Sequence, residues 1–154
     1  MPKNKKPEKK ITSIGSRYIK TNEPIFNRTI HVFLNYPDKK FIEWARKNGD
    51  KNYSEGWDPN FAAFSQSISI ENKPDEYIIS IQKFDWTIID QGSLIHEIVH
   101  TIFKIWKTNA IPFALDNQEF FAHSVANLYE DIAYKIRKKT AWISIKKLKR
   151  LYLF

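Results

Sequence analysis

The chain of 154 residues contains no cysteine, one methionine and only four glycines. Without cysteine there is neither a disulfide framework nor a thiolate-ligated zinc ribbon. So few glycines leave no phosphate-cradling loop, and there is no serine nucleophile elbow, which argues against nucleotide chemistry. Apolar runs are too short and too interrupted for a transmembrane helix, and the lysine-rich start lacks the apolar stretch of a signal peptide. A cytoplasmic protein, or one released by cell lysis, is expected. Internal repeats are absent as well, and a chain of this length normally forms one domain able to bury a core without staples.

Positive charge is abundant but confined to the ends. Residues 1–10 carry five lysines and one glutamate, and residues 135–154 carry eight lysines and arginines and no acid, so the ends hold +12 and residues 11–134 hold −4 of the net +8. Residues 1–10 read as a disordered basic tail. Residues 11–137 read as the folded domain. In 138–154, Trp142, Ile145, Leu148 and Tyr152 interleave with Lys146, Lys147, Lys149 and Arg150. That pattern fits a basic amphipathic helix docked on the domain, or a surface for nucleic acid, an anionic membrane or an acidic partner.

The most informative stretch is His96-Glu97-Ile98-Val99-His100. Residues four apart on a helix are surface neighbours, so His96 and His100 can share one tetrahedral zinc ion without bending the backbone. Glu97 sits beside them, placed to reach a water rather than the metal, which suits a general base. The chemistry requires a helix. Gly92-Ser93 offers a start, and Leu94, Ile95, Ile98, Val99, Ile102, Phe103 and Trp106 recur with helical spacing until Thr108-Asn109 and Pro112. Apolar residues on nearly every side of the histidines predict a helix buried in the domain centre. The competing reading is a chance match, with both imidazoles bonded to carbonyls.

Asp116-Asn117 would cap a second helix running to about Arg137 and forming an antiparallel hairpin with the first. Glu119, in its first turn, could approach His100, and a polar stripe continues through His123, Asn127 and Glu130. A first-turn acid also complements the helix dipole without ligating anything.

His96-Glu97-x-x-His100, followed by Glu119 in Asn117-Gln118-Glu119-Phe120-Phe121-Ala122, resembles the gluzincin zinc peptidases, most nearly small phage-type proteins and minigluzincins. The resemblance covers roughly residues 61–134 and leaves out both termini. It implies one Zn²⁺ per chain held by His96, His100 and Glu119, with Glu97 as catalytic base and a peptide or protein as substrate. His123 departs from the pattern, which usually places an acid one turn after the ligand glutamate. His123 could orient a ligand, support the oxyanion or itself be the third ligand, Asp116 is a further alternative for that position, and Tyr129 could assist the oxyanion.

Upstream, residues 62–70 and 77–84 read as a hairpin with a turn at 71–76. By the resemblance, the first strand is the sheet edge that binds extended peptide, through Ala62, Ala63, Phe64 and Ser65; otherwise it is an ordinary solvated edge. A strand at 29–36 containing His31, read as structural, precedes a helix near 38–47 and a loop at 48–60 whose Trp57 could touch substrate. Trp44, Trp86, Trp106 and Trp142 read as packing residues. The expected fold is α+β and zincin-like: a small, mostly antiparallel sheet with helices on one side, including the His-Glu helix and a following ligand-bearing helix. The expected function is a zinc-dependent metallopeptidase. The alternatives are a DNA- or partner-binding zinc protein with a latent or inactive site, and a chain that binds no metal.

Overall fold

The computed structural model describes residues 14–49, 51, 53, 62–69 and 73–151, with side chains described up to 138. The architecture is α+β. Strands β1 (Arg17–Asn22), β2 (Thr29–Leu34), β3 (Ala63–Ile68) and β4 (Glu76–Ile81) form one mixed sheet in the order β1-β2-β4-β3. The β1–β2 and β3–β4 pairs are antiparallel, whereas β2 and β4 run parallel because helix α1 (Asp38–Asn48) and β3 intervene between them. The expected hairpin is present, with β3 at a sheet edge as the resemblance implied. Strand β1 went unassigned in the sequence reading, since its RYIKTN alternates too many polar residues to stand out. The buried Glu23 carboxylate holds the β1–β2 turn by accepting the amides of Ile25 at 3.0 Å and Phe26 at 2.7 Å.

Side-chain alternation gives the sheet two buried faces. Ile30, Val32, Leu34, Tyr77, Ile79 and Ile81 face helix α2 (Ile88–Thr108), which contributes Leu94, Ile98, Ile102, Ile105 and Trp106 to the same core. On the opposite face Phe33 and Ile78 meet Phe41 of α1, with Phe33 also in edge contact with Tyr36 and Trp44. Helices therefore cover both faces, not one as expected: β2 and β4 are apolar at successive positions, and each face needs a cover.

Helix α2 begins earlier than Gly92-Ser93 suggested. Thr87 is its cap: the Thr87 hydroxyl accepts from the Asp90 amide at 3.2 Å, and the Asp90 carboxylate accepts from the Thr87 amide at 3.0 Å. This reciprocal bonding satisfies two otherwise orphan amides and outweighs the roughly 0.5–1 kcal/mol cost of Gly92 inside the helix. At the other end, the Asn109 side chain donates to Ile105 O at 2.7 Å and Ala110 adopts φ 55°, which stops the helix.

A 3₁₀ turn (Leu115–Asn117) leads into α3 (Gln118–Leu151). Phe121 packs edge-on against Trp106 near the end of α2, while Tyr129 donates to Gln91 at 2.9 Å near its start, so α2 and α3 form the expected antiparallel hairpin. The helix does not stop near Arg137; its backbone continues to Leu151, so the basic C-terminal segment is an extension of α3 as far as it is described. Among the described residues, no helix is long and apolar enough to cross a membrane. The basic tail at 1–10, the Trp57 loop and the side chain of Trp142 lie outside what the structure describes.

Candidate metal centre

One stripe of α2 is core and the opposite stripe is open. Ile95, His96, His100 and Phe103 are all exposed, so the His-Glu helix is not buried on every side as its apolar content suggested. Its apolar residues outnumber the positions that the sheet and α3 can cover. On the open stripe the two imidazoles converge, with His96 Nε2 and His100 Nε2 3.0 Å apart and the rings at 78° to one another. Two nitrogens bound at 2.0–2.1 Å to a tetrahedral zinc ion sit about 3.3 Å apart. The pair thus lies within a few tenths of an ångström of bidentate ligation and is open to solvent for ion entry.

Glu97 is buried at 7% exposure, on the side of α2 turned toward the sheet. It lines a cleft of about 290 Å³ with His100, Lys104 and residues Ala63, Phe64 and Ser65 of β3. Among the described residues it forms no ion pair, so its carboxylate is not committed to an internal cation. Three of the four positions expected to bind substrate, Ala63, Phe64 and Ser65, therefore lie beside the expected base and one of the two histidines expected as ligands. Ala62 precedes the strand, where its carbonyl accepts from Gln82 N at 2.9 Å.

Helix α3 does not complete the centre. Glu119 and His123 are mostly exposed and pair with each other at 3.4 Å along one turn. Asp116 is exposed in the 3₁₀ turn, and Tyr129 is held by Gln91. Among the described residues, no three His, Cys, Asp or Glu side chains converge where they could hold a metal ion. Among the described residues Glu119 is ion-paired with His123, and no ion pair joins it to His100. The connection from Ile111 to Phe120 has no buried residue; it meets α2 through Phe113 against Phe103, and α3 then packs on α2 through Phe121 against Phe103 and Trp106.

Lys104 is the cleft residue that the sequence reading missed. Its Nζ donates to the Ser65 carbonyl and, at 3.1 Å, to the Ser65 hydroxyl. Burial pushes its ammonium below the usual range, and the nearby Glu97 carboxylate partly opposes that shift. One signal was available: Lys104 lies one turn beyond His100 and two beyond His96, a cation among apolar neighbours on the same stripe.

His31 has a different setting. It is buried on the α1 face, where its Nδ1 accepts from the Tyr18 hydroxyl at 2.8 Å and its Nε2 donates to Glu76 at 2.6 Å, with Trp44 against the ring. Both nitrogens are satisfied within the fold. No protein-family profile, curated protein or solved structure matches this chain.

Proposed function

We propose that the chain is a zinc-dependent peptide hydrolase. One observation carries this reading: two exposed imidazoles converge beside a cleft where a buried carboxylate, in no ion pair among the described residues, lies near β3, the edge strand of the described sheet. His96 and His100 would hold the ion, and Glu119 would complete the set by leaving His123. The exposed Glu119–His123 pair is a weak competitor, since such pairs contribute about 0–1 kcal/mol. Bound zinc supplies a Lewis acid that acidifies water and polarises a carbonyl. Strand β3 would position the peptide by main-chain pairing. Glu97 would take a proton from the attacking water and return it to the leaving amine nitrogen.

The pairing of Glu119 with His123 favours a second reading, a DNA- or partner-binding zinc protein whose peptidase-like site is latent until α3 moves. Metal content measured by mass spectrometry on wild type and on His100→Ala, Glu119→Ala, His123→Ala and Glu97→Gln, paired with peptide digestion, tests both. Hydrolase function predicts one zinc per chain, lost in His100→Ala and Glu119→Ala, with turnover lost in Glu97→Gln but metal kept. Zinc retention without digestion of any peptide by the wild type would support the latent site. No zinc after reconstitution would remove both readings.

A further inference from the structure

The position of Lys104 says something about what the cleft accepts. In an antiparallel pair, successive residues alternate between bonding the partner strand and facing away from it. The Ala62–Gln82 bond sets the phase, so Phe64 and Gln66 pair with β4, while the main-chain groups of Ala63, Ser65 and Ser67 point away from it, at the outer edge of the described sheet. Lys104 donates to Ser65 O and therefore stands on the line an added strand would follow, in the same cleft as Glu97 and His100.

Its hydrogen-bond partners there are neutral, and Glu97 acts on it only through its charge. Among the described residues no carboxylate lies within ion-pairing distance of Nζ, and its only hydrogen bonds are to Ser65. An ammonium has three donors, so one remains after Ser65 takes two. A partly buried cation whose hydrogen-bond partners are neutral, and whose nearby carboxylate Glu97 lies beyond ion-pairing distance, is only partly compensated for lost hydration, and an incoming carboxylate would correct that. We propose that Lys104 is a specificity residue that receives a carboxylate from a peptide lying along β3, either an aspartate or glutamate side chain or a free C-terminus. The proposal rests on the reading of this cleft as a peptide site but does not require that the peptide be cut.

Binding measured apart from turnover tests it. The full chain, freed of metal, is titrated into fluorescein-labelled alanine-rich octapeptides in matched pairs: glutamate against glutamine at each position, and a free C-terminus against an amide. Fluorescence anisotropy should show one acidic member binding about tenfold or more tighter than its neutral match, the range of a hydrogen bond to a charged group. Which pair shows the preference tells a side-chain carboxylate from a terminal one. The preference should vanish in Lys104→Met and persist in part in Lys104→Arg. Equal affinity across every pair in the wild type overturns the proposal without any variant, as does a preference that survives Lys104→Met. Tighter binding of all peptides by Lys104→Met, regardless of charge, also overturns it, because Lys104 would then be a plug on the strand edge. Zinc-loaded wild type assayed on the same peptides separates the two claims. Charge-selective binding without hydrolysis sinks the hydrolase and keeps the Lys104 assignment; hydrolysis with no charge preference does the reverse.

Discussion

Two histidine sites lie on opposite sides of the same sheet, and they differ in what satisfies the imidazole. His31 is enclosed by α1 and has Tyr18 on one nitrogen and Glu76 on the other. His96 and His100 stand on the open stripe of α2 and have each other. A buried polar group with all its partners supplied by the fold contributes to stability and has nothing left to offer a ligand. Two exposed imidazoles 3.0 Å apart contribute little to stability and retain their ligating capacity. The same residue type is thus satisfied by the fold at His31 and left able to ligate at His96 and His100, according to where its second partner comes from.

The sharpest way to widen that contrast is at Glu97. Glu97→Gln should lower peptide turnover by about 10²–10⁴-fold while leaving metal content and unfolding midpoint unchanged, read by steady-state kinetics, metal analysis and thermal denaturation. Loss of metal instead would make Glu97 a ligand. Next in size, His31→Ala should cost about 2–3 kcal/mol of stability by stranding Glu76 and the Tyr18 hydroxyl, whereas His96→Ala should stay within about 0.5 kcal/mol in metal-free protein. Equal costs in urea titrations would erase the distinction between the sites. Zinc at a hundredfold excess over its Kd should stabilise the wild type by about 2.7 kcal/mol, seen as a rise of several degrees in Tm, and should leave His100→Ala unmoved.

The smallest effect is a pH dependence at His31. Burial lowers its pKa, and the Glu76 hydrogen bond and charge only partly restore it. The folded form thus keeps His31 neutral at pH values where the unfolded chain, titrating near 6.5, takes up a proton. Its contribution to stability is full above about pH 6.5 and declines as pH falls through that value toward the lower folded pKa. Urea unfolding at a series of pH values should show this slope in wild type and a shallower one in His31→Gln. An identical slope would mean that His31 takes up its proton in the folded protein as it does in the unfolded chain.

Much of the site was legible because it is local. Two histidines and a glutamate within five residues can be placed relative to one another by helical periodicity alone, and the structure puts the imidazoles where that periodicity says. The β3–β4 hairpin was legible for the same reason, being contiguous in the chain. Sequence periodicity did not reveal that α2 has a bare stripe, because an all-apolar helix looks buried until the elements able to cover it are counted. Nor did it reveal β1, whose pairing with β2 depends on a turn held by Glu23.

What the sequence by itself determined is the α+β class, the helix bearing His96, Glu97 and His100, and their spacing, since all three follow from hydrogen bonding and side-chain direction within a few turns of chain. Only the tertiary structure decided that β3 lies at the edge beside that helix, that Lys104 reaches Ser65 there, and that Glu119 pairs with His123 rather than joining the histidines. Those relations join residues far apart in the chain or set one helix against another. They depend on which apolar faces pack together, and no short-range pattern encodes that.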